Sequence, residues 1–548
     1  MEKKRNYDDF IQVAINSEIT KLAENLDYNL DKWIEFTTKK LPETIRINPI
    51  HNEYEWSISK IKQLGGKRIK WAGAKTLGFE MPWNKGENEN TESKKLLQSM
   101  HNSGRHTGQE AVSMIPAELI NPINGENILD SCAAPGSKST QLAELSQDNA
   151  AIIANEPNKG RMNMLVTNRS RLGLRSIAIT QHDARNFPRI AEPGFDAILL
   201  DVPCSGTGTI RKNKKLWWKW KPSISQSLHK LQLKISNRCA QLLKPGGRMV
   251  YSTCSIDPLE NEVIVGKILE ENEWLKLEKI DVEKHLPGLK YNNGIEELSS
   301  VFTEEDFGKI SIEESISQLK NCIRISPSQN NSGGFFIAMF RQVDEDNNAR
   351  GLRQKEGWPI GKKDINKNDH GAPTPLTKKR KEALEKEWGN WRGFKGRLWE
   401  RGRTIIETSE ALGNSFFDPE RFDSSGHKLA GNHWHPLKVR QVGRIAFKDT
   451  NSQSLRPKSE LFRGHFSYPE KHIFKIEKEI LFRLLDEGVI PIEELEEMKH
   501  ERKGALILDI NWINGRRLLP AWLGTGLRLL MDENEKLILQ TQREDYYE

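Results

Sequence analysis

The sequence predicts an α/β fold: a mostly parallel sheet with helices on both faces, preceded by a small α+β region and followed by a β-rich one. Three observations carry this expectation. Between about residues 120 and 340, short apolar runs (NILDSC, AAIIANE, SIAITQHD, FDAILLDVP, GRMVYST) alternate with amphipathic helical stretches, the pattern of right-handed strand–helix–strand crossovers. Four of these runs carry a distinctive polar residue at or just past their carboxyl ends, where ligands of such sheets sit. And 548 residues exceed one ordinary domain, so further units are expected on either side.

In chain order, apolar positions such as Ile11, Ile15, Ile19 and Leu22 recur every three or four residues, predicting helix from about residue 7 to 40. LPETIRINPI alternates Ile45, Ile47 and Ile50 with polar residues, as a strand does. GENENTESKK reads as a polar surface loop. After the central pattern, GGFFIAMF is expected as a late hairpin strand closing the sheet. Residues 343–376 lack apolar periodicity and read as a linker. Beyond them, GALILDINWINGRRLLPAWLGTGLRLLMDENEKLIL reads as strands separated by Asn-Gly and Asp-Glu-Asn turns. The expected units are 1–115, 116–342, the linker 343–376, and 377–548.

With 36% hydrophobic and 29% charged residues, the chain suits a folded core under a very polar surface. A balance of 83 basic to 76 acidic residues, net +7, leans mildly towards polyanionic partners. The five cysteines form no C-x-x-C pair, which argues against a zinc ribbon or disulfide framework and for a reducing intracellular compartment. No apolar stretch has the length of a membrane span. No metal and no membrane partner are expected. His433-Trp434-His435 lacks cysteine or acidic companions at ligand spacing, and is expected to be structural.

The chemistry concentrates in a few segments. In NILDSCAAPGSKSTQ a strand runs into a turn with Pro135 and Gly136, and a helix starts at Ser137–Thr140; small residues there admit a ligand to the backbone and a helix N-terminus favours a negative group. An ordinary strand-to-helix turn is the plain alternative. Glu156 and Asp183 follow the next two strands; each alone reads more readily as a solvated loop acid, but their repetition at equivalent strand ends favours a nucleoside pocket, where acids hold a ribose diol and an adenine amino group. DVPCSGTGTIRKN places Asp201 and Cys204 at a strand end before a Gly-rich basic loop, and YSTCSIDPLENE puts Cys254 at the end of the next strand. A lone cysteine is usually a small packing residue, the expectation for Cys239 and Cys322; two thiols on adjacent strand ends beside an aspartate point to catalysis. Arg211 and Lys212, with Lys214, Lys215, Trp217, Trp218 and Trp220 nearby, offer phosphate contacts and base stacking, against the plainer reading that the tryptophans pack the following helix. KKRK at 378–381 reads either as a nuclear signal or as a solvated helix start.

CAAPGSK, DVPCSGTGTIRKN, YSTCSIDPLENE and SGGFF, with LPETIRIN and TGQEAVSMIP before them, closely resemble the Nop/Sun family of RNA cytosine-5 methyltransferases. The resemblance implies a Rossmann-like class I methyltransferase domain with a seven-stranded sheet, S-adenosyl-L-methionine as cofactor, and tRNA as partner. It assigns Cys132, Ala133, Ala134, Pro135, Gly136, Ser137, Lys138, Glu156, Asp183 and Asp201 to the cofactor pocket, with Glu156 where the family more usually has aspartate. It makes Cys254 the nucleophile, Cys204 the thiol assisting release, and Asp201 a catalytic acid at cytosine N3. The C-terminal region looks like the PUA-like RNA-binding module of the family's tRNA enzymes. The implied protein acts as a cytoplasmic monomer, or a nuclear one in a eukaryote. Rival readings are the same chemistry on ribosomal RNA, a non-catalytic RNA-binding assembly factor, and a DNA-type enzyme in which Cys204 would form the adduct.

Overall fold

The computed structural model describes the chain except residues 1–6, 27, 191–193, 297–312, 344–371, 393–395, 417–433, 435–436, 450–454, 465–467, 514 and 548. Most of the expected linker, and both His433 and His435, therefore lie outside the described residues.

The N-terminal helical stretch is three short helices, Tyr7–Ile15, Glu18–Glu24 and Leu30–Thr38. Periodicity alone predicted continuity; Ser17 and Asn29 divide it, each accepting from the backbone three residues on, at Thr20 N and Lys32 N. A four-stranded antiparallel sheet follows, β1 (Pro42–Ile47), β2 (Lys67–Arg68), β3 (Gly78–Asn84) and β4 (His106–Gly108), in the order β2-β3-β1-β4. The polar segment expected as a loop is in part the start of the helix Thr91–Asn102, capped by Asn90 accepting from Ser93 N.

The central sheet has five parallel strands at its heart: β5 (Asn127–Asp130), β6 (Ala151–Asn155), β7 (Ile177–Thr180), β8 (Phe195–Asp201) and β9 (Leu243–Thr253). β10 (Leu275–Glu278), β11 (Asn292–Asn293), β12 (Ile323–Ile325) and β13 (Phe335–Gln342) add an antiparallel flank, with β13 beside β9 as expected for a late hairpin strand. Where seven strands were expected, ten pair. The order is β11-β12-β13-β9-β8-β5-β6-β7 and then Val439–Val442, with β10 on β13. β6 and β7 are fully buried and apolar up to their last residues, Asn155 and Thr180, as strands covered on both faces must be.

That outermost strand, Val439–Val442, runs antiparallel to β7 and covers its free edge. Trp399, Ile406, Trp434 and Val439 share a core with Leu129, Ile153 and Ala178 of the central sheet. The boundary expected at residue 377 thus does not separate two cores, because residues beyond it complete this one; a strand's own pattern does not say which sheet it joins. The basic run KVRQVGR supplies this edge, and its Arg444 is buried on Glu407 (2.9 Å). Further on, Gly504–Trp512 and Gly515–Leu523 form the expected hairpin in a separate five-stranded sheet. The segment expected as a turn and strand near Asp532 is the helix Glu533–Tyr547, because Asp532 accepts from Glu535 N (3.0 Å) and starts a helix. Its Ile538 enters the core of the N-terminal sheet, and Asp545 accepts from Trp56 Nε1 (2.8 Å).

Candidate active site

Cys254 stands just past β9 on a turn fixed by its own polar side chains. Thr253 Oγ1 donates to Asn261 Oδ1 (2.6 Å) and accepts from Ser255 N (3.1 Å), and Asn261 Nδ2 returns to Ser255 O (3.0 Å). Thr207 Oγ1 accepts from Ile256 N (2.9 Å), and Asp257 Oδ1 accepts from Leu259 N (3.0 Å). Glu262 pairs with Arg324 at 2.5 Å. All of these side chains are buried, whereas Cys254 is half-buried. A buried polar group without a partner is costly, so a closed network of this kind holds one shape and leaves the thiol facing the cleft.

Distant motifs meet at its backbone. Gly208 N donates to Cys254 O (2.8 Å), and Gly334 N donates to Gly208 O (2.9 Å). A Cβ on Gly208 would lie 2.2 Å from Gly334 O; only glycine permits that approach.

Cys204 lies past the neighbouring strand β8, and its Sγ is 3.2 Å from Cys254 Sγ. Glu260, fully buried, accepts from Ser205 N (2.8 Å) and Ser205 Oγ (2.5 Å) and so anchors the turn after Cys204. The hydrogen bond with Cys254, reinforced by burial, pushes the Cys204 thiol well above its ordinary range; at neutral pH it keeps its proton. Beside the thiols, Asp201 accepts from Lys138 Nζ (2.7 Å) and Ser252 Oγ (2.9 Å). Burial works against the Lys138 ammonium, but the Asp201 carboxylate outweighs it and the Lys138 pKa is raised. A cleft of about 390 Å³ is lined by Cys254, Asp201 and Lys138 together with Glu110, Lys85 and Thr44 of the N-terminal region.

The CAAPGSK turn borders the same cleft through Cys132, Ala133, Ala134, Pro135, Ser137 and Lys138. Gly136 has φ +102°, and a Cβ there would meet Leu165 Cδ1 at 2.6 Å. It begins the nine-residue helix Ser137–Leu145, which no side chain caps, leaving first-turn N–H groups open to an acceptor. Burial pushes the Cys132 thiol up. Asp130, also buried in the cleft wall, accepts from Ser139 Oγ (2.6 Å) through one oxygen, while its Oδ1 has no partner among the described residues; burial raises its pKa to about 7. Glu156 and Asp183 stand on the next strand ends. Glu156 is buried and accepts from Asn158 N (2.9 Å). Asp183 is exposed, accepts from Arg185 Nε (3.0 Å), and is held below its usual range by that arginine. Neither borders the part of the cleft that holds Cys254.

Residues 117–341 match the family described as 16S rRNA methyltransferase RsmB/F. The chain is 33% identical over 331 residues to the tRNA (cytosine(49)-C(5))-methyltransferase of Pyrococcus abyssi, covering 60% of this chain and 96% of that protein. The chain belongs to the RsmB/F methyltransferase family. It is also similar to the multisite-specific tRNA:(cytosine-C(5))-methyltransferase of Saccharomyces cerevisiae, at 38% identity over 282 residues, 45% of this chain and 40% of the yeast protein. A third relative, ribosomal RNA small subunit methyltransferase F of Pectobacterium atrosepticum, is 31% identical over 391 residues, 70% of this chain and 73% of that one. The chain thus spans less than half the length of the yeast relative.

Within this RsmB/F-family chain the basic loop departs from expectation. Arg211 is buried, with its guanidinium donating to Lys40 O (2.7 Å), Ser332 O (3.1 Å) and Asn331 Oδ1 (2.9 Å). It ties three segments together, with its guanidinium turned inward on their polar groups. Lys212 is exposed at the cleft. Trp217 and Trp220 are buried among the N-terminal helices, with Trp217 edge-on to Trp33 at 5.4 Å, so the packing alternative holds for both. Cys239 and Cys322 are buried packing residues. Among the described residues no group of three or more metal-ligating side chains occurs, and no helix is long and apolar enough to cross a membrane.

Sequence reasoning missed Asp130, Ser113 (on Lys138 Nζ at 3.0 Å) and Glu110, whose Oε1 accepts from Gly333 N (2.8 Å). Asp130 had a visible signal, an acid closing the strand NILD. Ser113 and Glu110 lie in TGQEAVSMIP, a segment that carried the resemblance but no site reading, because they reach the cleft from a separate helix start.

Proposed function

We propose that this chain transfers a methyl group from S-adenosylmethionine to carbon 5 of a cytosine in tRNA, with Cys254 as nucleophile. One observation carries the reading: the Cys254 and Cys204 sulfurs lie 3.2 Å apart beside the Asp201–Lys138 pair. The names of the yeast and archaeal relatives support it. The residues at the first strand end fit such a donor. An uncapped helix start suits a carboxylate, and Asp130 keeps one buried oxygen without a partner among the described residues. The helix start of Ser137 and Lys138 would hold its amino-acid end, and Glu156 and Asp183 its nucleoside end.

Carbon 5 of cytosine is a poor nucleophile, and S-adenosylmethionine, when bound, supplies an electrophilic methyl group. The chain must therefore activate the base. Cys254 as thiolate attacks carbon 6, the 5,6 double bond opens, and carbon 5 becomes enamine-like. Asp201, held by Lys138 and Ser252, is the group that handles the proton at N3. After transfer the carbon 5 proton passes to solvent, its bonding pair reforms the 5,6 double bond, N3 gives its proton back to Asp201, and the Cys254–carbon 6 bond breaks with its pair returning to the Cys254 sulfur. Cys204, kept protonated in the resting state, is placed to return a hydrogen bond or proton to the departing sulfur. Cytosine inside a helix is out of reach, so the base enters flipped or unpaired.

The same chemistry on ribosomal RNA is the second reading, favoured by the Pectobacterium relative. Bisulfite sequencing of RNA from cells lacking and then resupplied with the chain separates the two. Lost and restored sites are expected in tRNA; sites restored only in ribosomal RNA would transfer the substrate there, and no restored site would sink both.

A further inference from the structure

The loops assigned to the cofactor leave three different strands, and one side chain joins them. Asn155, the last residue of β6, is fully buried. Its Nδ2 donates to Ser131 O (3.1 Å), beyond β5, and to His182 O (3.0 Å), beyond β7. Its Oδ1 accepts from Thr180 Oγ1 (3.1 Å) and His182 N (2.9 Å). Its own carbonyl accepts from Ala133 N (2.9 Å). Ser131 and Ala133 flank Cys132, Asn155 precedes Glu156, and His182 precedes Asp183.

We propose that Asn155 is the positioning residue of the cofactor site, fixing the distance between the CAAPG turn and the two acids; this rests on the functional reading above. Strand ends diverge with the twist of the sheet, and backbone groups past the last ladder bond need other partners. A primary amide supplies two donors and an acceptor in one plane. Aspartate keeps the acceptor and loses both donors, and no aliphatic side chain offers either. His182 is further fixed from outside, its Nε2 accepting from Lys438 N (2.8 Å). Asn155 touches none of the reacting atoms; it acts through the loops it holds.

The test compares N155D and N155A with N48A, another fully buried asparagine, which bonds only within the N-terminal region. Steady-state kinetics in both substrates, cofactor-product calorimetry and thermal melts are measured on the full chain. The Asn155 variants should raise KM for S-adenosylmethionine at least about tenfold, equivalent to 1.4 kcal/mol. Their kcat at saturating cofactor and KM for RNA should stay within about threefold. N48A should melt earlier without changing the cofactor KM. Unchanged cofactor KM in the Asn155 variants, or equal losses for cofactor and RNA, would overturn the proposal. If neither variant folds, T180V, which removes one bond to the amide oxygen, decides. A smaller rise in cofactor KM supports the role, and none refutes it. A wild-type chain that binds no S-adenosylmethionine refutes the functional reading itself, and is told apart by that control.

Discussion

The turn 253–262 and the loop 205–220 both read as motifs, both are rich in polar residues, and they are built in opposite ways. In the turn, the polar side chains point inward and close on one another and on backbone, so the thiol is the group left for the cleft. In the loop, it is the conspicuous groups that point inward: Arg211 on two other segments, Trp217 and Trp220 in a core. The plain Lys212 is left at the cleft. Most of a motif is scaffold, and the residue available for chemistry is the one whose neighbours already satisfy the local backbone.

The largest effect expected on either side belongs to the two thiols. Cys254→Ala should lower methyl transfer by at least about 10⁴-fold and form no covalent protein–RNA complex, since carbon 6 is never attacked. Cys204→Ala should instead accumulate that complex on a denaturing gel. The reverse pattern would exchange the roles, as in the DNA-type reading, and activity retained by both variants without any complex would end the covalent mechanism.

In the loop, Arg211→Ala should cost stability before it costs chemistry. It leaves the carbonyls of Lys40 and Ser332 without this donor, a loss of about 1–3 kcal/mol. Urea unfolding measures it. A midpoint unchanged from wild type would return Arg211 to the list of free RNA contacts.

What the sequence made legible follows the same division. The strand–helix alternation, the parallel heart of the sheet and the segments that meet at Cys254 were all visible, because each is written in local pattern or in residues of unusual chemistry. The pairing of Val439–Val442 with β7, the helix Glu533–Tyr547 in the N-terminal core, and the inward turn of Arg211 were not. Each depends on a partner hundreds of residues away or on which way a side chain faces, and neither leaves a periodic trace.

Asp130 sharpens the contrast, as a polar group of the cleft wall left half-satisfied. Burial raises its pKa from 3.8 to about 7, so the folded chain holds a proton that the unfolded chain releases above about pH 4. The stability this contributes is fully present below pH 4 and is lost as pH rises through 7. Between pH 4 and 8 the wild type should lose about 2–4 kcal/mol relative to Asp130→Asn. Parallel urea midpoints for the two chains would show the Asp130 carboxyl to be ordinary.

The smallest expected effect tests the other half of the loop. Lys212 is exposed at the cleft and lies next to Arg211 in sequence, yet the two side chains face different surroundings. Replacing it with alanine removes no buried partner, so the unfolding midpoint should match wild type. If it contacts a phosphate of the RNA entering the cleft, affinity should fall by about 1 kcal/mol, and the slope of log K against log salt should shrink by about 0.7 for one single-strand contact. Because a phosphate contact carries no sequence information, tRNA and unrelated RNA of equal length should weaken alike. Filter binding at several salt concentrations reads all three quantities. A variant with lowered stability and an unchanged salt slope would place Lys212 with Arg211 as scaffold, and the loop would then offer the RNA no cation from this pair.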